Sequence, residues 1–158
     1  CAKDRLQALN PNVVIDAFPC PIDEKIVAGN YDVVIDCSDN LAARQLINRV
    51  CYDERVPFIS AAAIGWEGQL IMFDFAHCRD LCFNCIINHS SADPMMNCAN
   101  SGVIGPVLGV MGSLQAVTVM RILLGFSVHH GEVQRYDGKR GQWFSLQGSP
   151  DKECSVCG

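Results

Sequence analysis

No stretch of this chain reads GxGxxG or GxxxxGK[ST], the glycine patterns that let a backbone close around nucleotide phosphates after a first strand. Gly102, Gly105, Gly109 and Gly112 have a different spacing and no strand-like run before them. Basic runs are also missing, aromatics make up 8% of residues, and the net charge of −5 is spread in mixed sign. A nucleic-acid-binding face needs clustered Lys and Arg with stacking aromatics nearby, so that class has no support. Neither an internal repeat nor a low-complexity tract is present, which argues against solenoids and disordered tails.

An uninterrupted membrane span is lacking too. The one candidate, Gly102 to Phe126, contains Ser113, Gln115, Thr118 and Arg121, with Pro106 in its first turn. It reads as a core helix, and no membrane partner is expected. Gly105, Gly109 and Gly112 give it a small-residue face that another backbone, or a second subunit, could approach. No signal peptide opens the chain, so a secreted disulfide scaffold is the weaker explanation for its 10 cysteines. Cys37 and Cys51 read as small buried hydrophobes in a reducing compartment, which places the protein in the cytoplasm.

With 158 residues, 49% of them apolar, residues 1–158 are expected to form one globular domain with a real core. The opening residues read as the end of a helix stopping near Asn10-Pro11, then a strand from Val13 to Phe18. "PIDEKIVAGN" reads as a short helix and "YDVVIDC" as an apolar strand covered on both faces. "LAARQLINRVCYDERV" is an amphipathic helix capped by Ser38, Asp39 or Asn40, and "PFISAAAIG" is the next strand. That alternation predicts an α/β fold with parallel strands. Beyond Gly65 the pattern turns antiparallel, with "WEGQLIMFDF", "GEVQRYD" and "GQWFSLQ" as strands.

Two matched doublets carry the clearest chemistry. Cys82 and Cys85 form "CFNC", and Cys154 and Cys157 form "CSVC". Each tight turn offers two thiolates, and zinc in a structural site takes four soft ligands, so the pairing favours zinc over unrelated buried thiols. The long separation would staple the tail to the domain. A redox pair would need a CxxC at a helix N-terminus, a placement predicted for neither doublet. Asp39 lies where a parallel strand meets a helix: it could hold Mg²⁺ on nucleotide phosphates, or merely cap the helix. Asp36 reads as a partly buried structural carboxylate. Cys98, near the start of the long helix, is either a nucleophile favoured by the helix dipole or an exposed bystander. His129 and His130 fall in a loop and receive no role.

"YDVVIDCSDN", "ISAAAIGWEGQL", "CFNC", "CANSGVIGPVLGVMGSLQA" and "CSVCG" together resemble the ThiF/MoeB adenylyltransferases, relatives of ubiquitin-activating enzymes, over nearly the whole chain. The resemblance implies the C-terminal part of a Rossmann-like adenylation domain that acts with ATP and Mg²⁺ on the C-terminal glycine of a ubiquitin-fold sulfur carrier. It implies that Asp39 and Asn40 belong to the nucleotide site, that Cys82, Cys85, Cys154 and Cys157 bind structural zinc, and that Cys98 can join covalently to the carrier. The segment from His89 to Asn97 then corresponds to a crossover loop. A homodimer, and a cysteine desulfurase or rhodanese-type sulfur donor, follow from the same resemblance. "YDGKRGQWFSL" is more similar to the thiamine branch than to the molybdopterin branch. The family's glycine-rich turn and phosphate-binding cations have no counterpart before "CAKDRLQALNP", so the chain resembles a fragment expected not to adenylate by itself. The rival reading is a zinc-stapled module that binds a ubiquitin-fold partner without chemistry.

Overall fold

In the computed structural model of the chain, residues 2–89 and 102–158 are described. Helix α1 (Ala2–Leu9) comes first, followed by α2 (Glu24–Val27), β1 (Val34–Asp36), α3 (Leu41–Glu54), β2 (Phe58–Ile64) and β3 (Glu67–Phe73). Then come α4 (Phe83–His89), α5 (Gly105–Leu123), β4 (Glu132–Asp137) and β5 (Gln142–Gln147). The strands form one sheet in the order β1-β2-β3-β4-β5. Only β1 and β2 run parallel; the other pairs are antiparallel. This is the predicted α/β architecture, with parallel strands leading into an antiparallel meander.

Two apolar layers flank the sheet. Paired residues in a sheet share a face, so Phe58 with Phe73 points one way and Ile59 with Met72 the other. On the first face Phe58, Ile71, Phe73 and Val133 meet Ile47, Val50 and Cys51 of α3 and Phe83 of α4. Phe58, Phe73 and Phe75 stack in series, and Phe83 meets Phe58 edge-on at 6.4 Å, tying the "CFNC" turn into the core. On the second face Val107 and Met111 of α5 cover Ile59, Leu70 and Met72.

Three expectations need correction. Val13–Phe18 is irregular and exposed, with Val14 at 87%. A strand requires a ladder partner, and β1 lies at the sheet edge with no neighbour on its outer side among the described residues. For the same reason β1 is short and Ile35 is exposed, so its two faces are not both covered. Finally, α5 is long and apolar enough to cross a membrane by length and composition, and it is not the fully buried core helix expected. Val107, Met111, Gln115 and Thr118 make one buried stripe, leaving Leu108, Val117, Met120 and Leu123 exposed. Nothing described lies within 4 Å of a Cβ added at Gly105, Gly109 or Gly112, so the small-residue face meets no backbone in the described chain.

A candidate metal centre and ligand cleft

The two doublets meet. Cys82 Sγ is 3.6 Å from Cys154 Sγ, and Cys85 Sγ is 3.2 Å from Cys157 Sγ, each pair bridging 72 positions of sequence. All four sulfurs lie within 4.8 Å of one another. A zinc tetrahedron with bonds of about 2.3 Å has sulfurs about 3.8 Å apart, so the donor set has the dimensions of a tetrathiolate site. Local hydrogen bonds shape each turn. Cys85 N–H donates to Cys82 O at 3.2 Å, and Gly158 N–H donates to Cys154 O at 3.0 Å. The glycine after the second doublet is required by space, because a Cβ there would come within 2.6 Å of Cys154 O.

The thiols are unequal. Burial works against the Cys154 thiolate, but backbone N–H groups of Cys157 and Val156 and the thiols of Cys82 and Cys85 outweigh it and hold the thiol down to about 7. Burial pushes Cys82 up to about 11, and burial together with the neighbouring thiols pushes Cys157 up as well. Such a cluster carries four thiolates only with a cation among them, and this donor chemistry suits a divalent soft metal.

The doublet at α4 differs from expectation in one respect. Cys82 immediately precedes the helix and Cys85 sits in its first turn, so "CFNC" does occupy a helix N-terminus. The hairpin and loops that bring "CSVC" against it are what separate this centre from a two-thiol redox pair.

A second group, Cys78, Asp80 and His130, also gathers ligand atoms. Its hydrogen bonds oppose a metal. Asp74 N–H can only donate, so His130 Nδ1 accepts from it at 3.0 Å, and the ring proton sits on Nε2, 2.9 Å from Leu81 O. His130 is therefore a partly buried cross-brace between Asp74 and Leu81, a role its place in a loop concealed.

A cleft of about 350 Å³ opens beyond the C-terminal ends of the parallel strands, the usual ligand position in such sheets. Ser38, Asp39 and Arg44 form one wall, Ala61, Ala62 and Ala63 the floor, and Met111 and Gln115 the far wall. Asn40 caps α3, its Oδ1 accepting from Ala43 N–H at 2.8 Å. Asp39 therefore does not cap; it is exposed, and Asn40 Nδ2 at 3.5 Å is its hydrogen-bond neighbour.

Asp36 is buried more deeply than expected, at 1% exposure. Its carboxylate accepts from Ser38 N–H at 2.9 Å, Ser38 Oγ–H at 2.5 Å and Ser60 Oγ–H at 2.8 Å. Arg44 Nε lies 3.3 Å away as the compensating charge. Arg44 Nη2 donates to Ser38 O at 2.6 Å and Ala61 O at 3.3 Å, locking the turn that presents Asp39. Sequence reading missed Arg44; a cation interrupting the apolar face of α3, four residues after its cap, was the available signal. Cys51 is buried as expected, but Cys37 is exposed at the cleft, its thiol donating to Gln115 Oε1 at 3.5 Å. Cys98 and the segment following His89 lie outside the described residues.

A family model described as the ThiF family matches residues 1–156. The chain belongs to the ThiF family. It is 38% identical over 160 residues to the sulfur carrier protein ThiS adenylyltransferase of Escherichia coli K12, covering 99% of this chain and 63% of that protein. It is 32% identical over 161 residues to the molybdopterin-synthase adenylyltransferase of the same organism, covering 99% and 64%. The ThiF-family chain thus spans just under two thirds of the length of these relatives. In fold it is similar to the crystal structure of E. coli MccB with ATP, with a TM-score of 0.77, 18% identity, and coverage of 99% of this chain and 49% of that one.

Proposed function

We propose that this chain supplies part of an enzyme that uses ATP to adenylate the C-terminal glycine of a ubiquitin-fold sulfur carrier, in the thiamine branch. The observation that carries the reading is the exposed Asp39 carboxylate at the cleft of a chain 38% identical, over nearly its whole length, to a ThiS adenylyltransferase. The 32% identity to a molybdopterin-synthase adenylyltransferase keeps the equivalent carrier of that branch as the second reading.

The reaction joins a carboxylate oxygen of the carrier to the α-phosphorus of ATP and breaks the bond from that phosphorus to the bridging oxygen, releasing pyrophosphate. Two anions must approach, so charge neutralisation and alignment dominate. Mg²⁺, when bound, would offset phosphate charge, and the exposed Asp39 oxygens are hard ligands suited to it. Asn40 fixes the first turn of α3 beside them. Arg44 and Asp36 hold the Ser38–Asp39 backbone so that the carboxylate faces the cleft. Cys82, Cys85, Cys154 and Cys157 would hold structural zinc, and Cys98, carrying a sulfur atom passed on from a persulfide of the sulfur donor, would displace AMP from the carrier's acyl-adenylate to form a reducible acyl-disulfide. A homodimer, a cytoplasmic setting and a cysteine desulfurase or rhodanese-type sulfur donor complete the proposal, with the nucleotide-binding elements of the longer relatives completing the active site.

The test is ATP–pyrophosphate exchange by a protein extended to the relatives' full length, with a thiamine-branch or a molybdopterin-branch carrier. Exchange with the first carrier, reduced about 10²–10³-fold by Asp39→Ala, is expected. Exchange unaffected by Asp39→Ala, or absent with both carriers, would overturn the reading. Cys98→Ser is expected to remove a reducible carrier adduct.

A further inference from the structure

Asn48 lies on α3, eight residues after the cap Asn40 and four after Arg44, and is 0% exposed. Its Oδ1 accepts from the backbone N–H of Phe83 at 3.0 Å. A backbone N–H can only donate, so the amide orientation is set: oxygen toward Phe83, and the NH₂ group away from it. That Nδ2 is buried and has no hydrogen-bond partner. Leaving an amide donor unmade in a core is costly, so a fully buried orphan calls for a partner.

The residue before Phe83 is Cys82, itself 0% exposed and one of the four converging thiols. A neutral thiol is a poor acceptor, whereas a thiolate accepts strongly. Four thiolates around one divalent cation leave a net charge of −2 in a largely buried site, a charge that needs N–H donors around it. We infer that Asn48 is the outer-sphere clamp of the metal centre, its Nδ2–H donating to the Cys82 thiolate while its Oδ1 holds the Phe83 N–H. The inference rests on the four cysteines binding a metal.

The consequence reaches beyond the thiols. Asn40, Arg44 and Asn48 follow one another at intervals of four along α3, so one face of one helix caps itself, braces the Asp39 turn and grips the metal turn. About 12 Å of rigid helix joins the cleft to the metal.

The experiment is metal competition on the zinc-loaded full chain against a chromogenic chelator, comparing wild type with Asn48→Asp and Val50→Ala. Asn48→Asp keeps the Oδ1 acceptor and replaces the donor by an anion. Val50→Ala removes a buried apolar α3 side chain from the same core and takes away no hydrogen-bond donor or acceptor. Asn48→Asp is expected to weaken metal affinity about 10–100-fold, with Val50→Ala within about twofold of wild type. Equal affinities for Asn48→Asp and wild type, or equal losses in both variants, would overturn the inference. Wild type binding no metal at all would overturn the four-cysteine reading as well. Should Asn48→Asp not fold, cadmium-113-loaded wild type decides by NMR: a scalar coupling between the metal and a side-chain amide proton of Asn48 supports the bond, and its absence refutes it.

Discussion

Removing the metal from the Cys82–Cys85–Cys154–Cys157 centre is expected to cost the chain about 4 kcal/mol. The magnitude follows from the loop the centre closes. Its sulfur pairs join positions 72 residues apart. A cross-link closing a loop of that size removes about 15 cal/mol/K from the unfolded chain, or about 4 kcal/mol at 25 °C. Little else secures the tail: after β5, Cys154 is the one buried residue. For a domain of this length such a loss lowers Tm by roughly 10–15 °C. The assay is thermal unfolding of the reduced, zinc-loaded chain with and without chelator, with bound metal counted before and after and restored in a third sample. Amide exchange should show 149–158 losing protection first. One metal per chain, removed by chelator with Tm moving less than about 2 °C, would refute the argument that the metal staples the tail.

Two other outcomes are expected. Asn40→Ala removes the cap of α3 and should destabilise by about 1 kcal/mol, whereas Asp39→Ala should leave the denaturation midpoint within about 0.5 kcal/mol of wild type, which urea titration of both variants checks. Burial pushes the Cys51 thiol up to about 12, against about 8.5 when unfolded. The unfolded state therefore releases its proton first, so this contribution to stability is whole below about pH 8.5 and is lost as pH rises towards 12. Urea midpoints at pH 7.5 and pH 10 should diverge less in Cys51→Ala than in wild type.

Much of the fold was legible in local pattern. The cap-and-helix signal at Leu41 and the strand patterns of "WEGQLIMFDF", "GEVQRYD" and "GQWFSLQ" each depend on neighbours in sequence, and each element formed where its pattern lay. Val13–Phe18 failed because a strand is a property of two chains, and its apolar residues say nothing about a partner. The long helix α5 failed partially for a similar reason: its composition is apolar on every side, but the sheet it meets offers only one face. Within the candidate site the doublets could be paired from spacing, while the roles of Arg44 and His130 could not, since their partners come from remote positions: Ala61 on β2 for Arg44, and Asp74 and Leu81, 56 and 49 positions earlier, for His130.

The sequence by itself determined which atoms could hold a metal, because a C-x-x-C turn is a local structure and two of them supply a complete soft donor set. It also determined the family, through motifs kept in order along the chain. Tertiary structure alone decided that Asn40 and not Asp39 caps α3, that Cys37 faces the cleft, that Arg44 neutralises Asp36, and that Asn48 points an unmatched amide into the core. These are questions of direction. A side chain's direction is set by which face of a helix meets which face of a sheet, and that is resolved only when the layers pack.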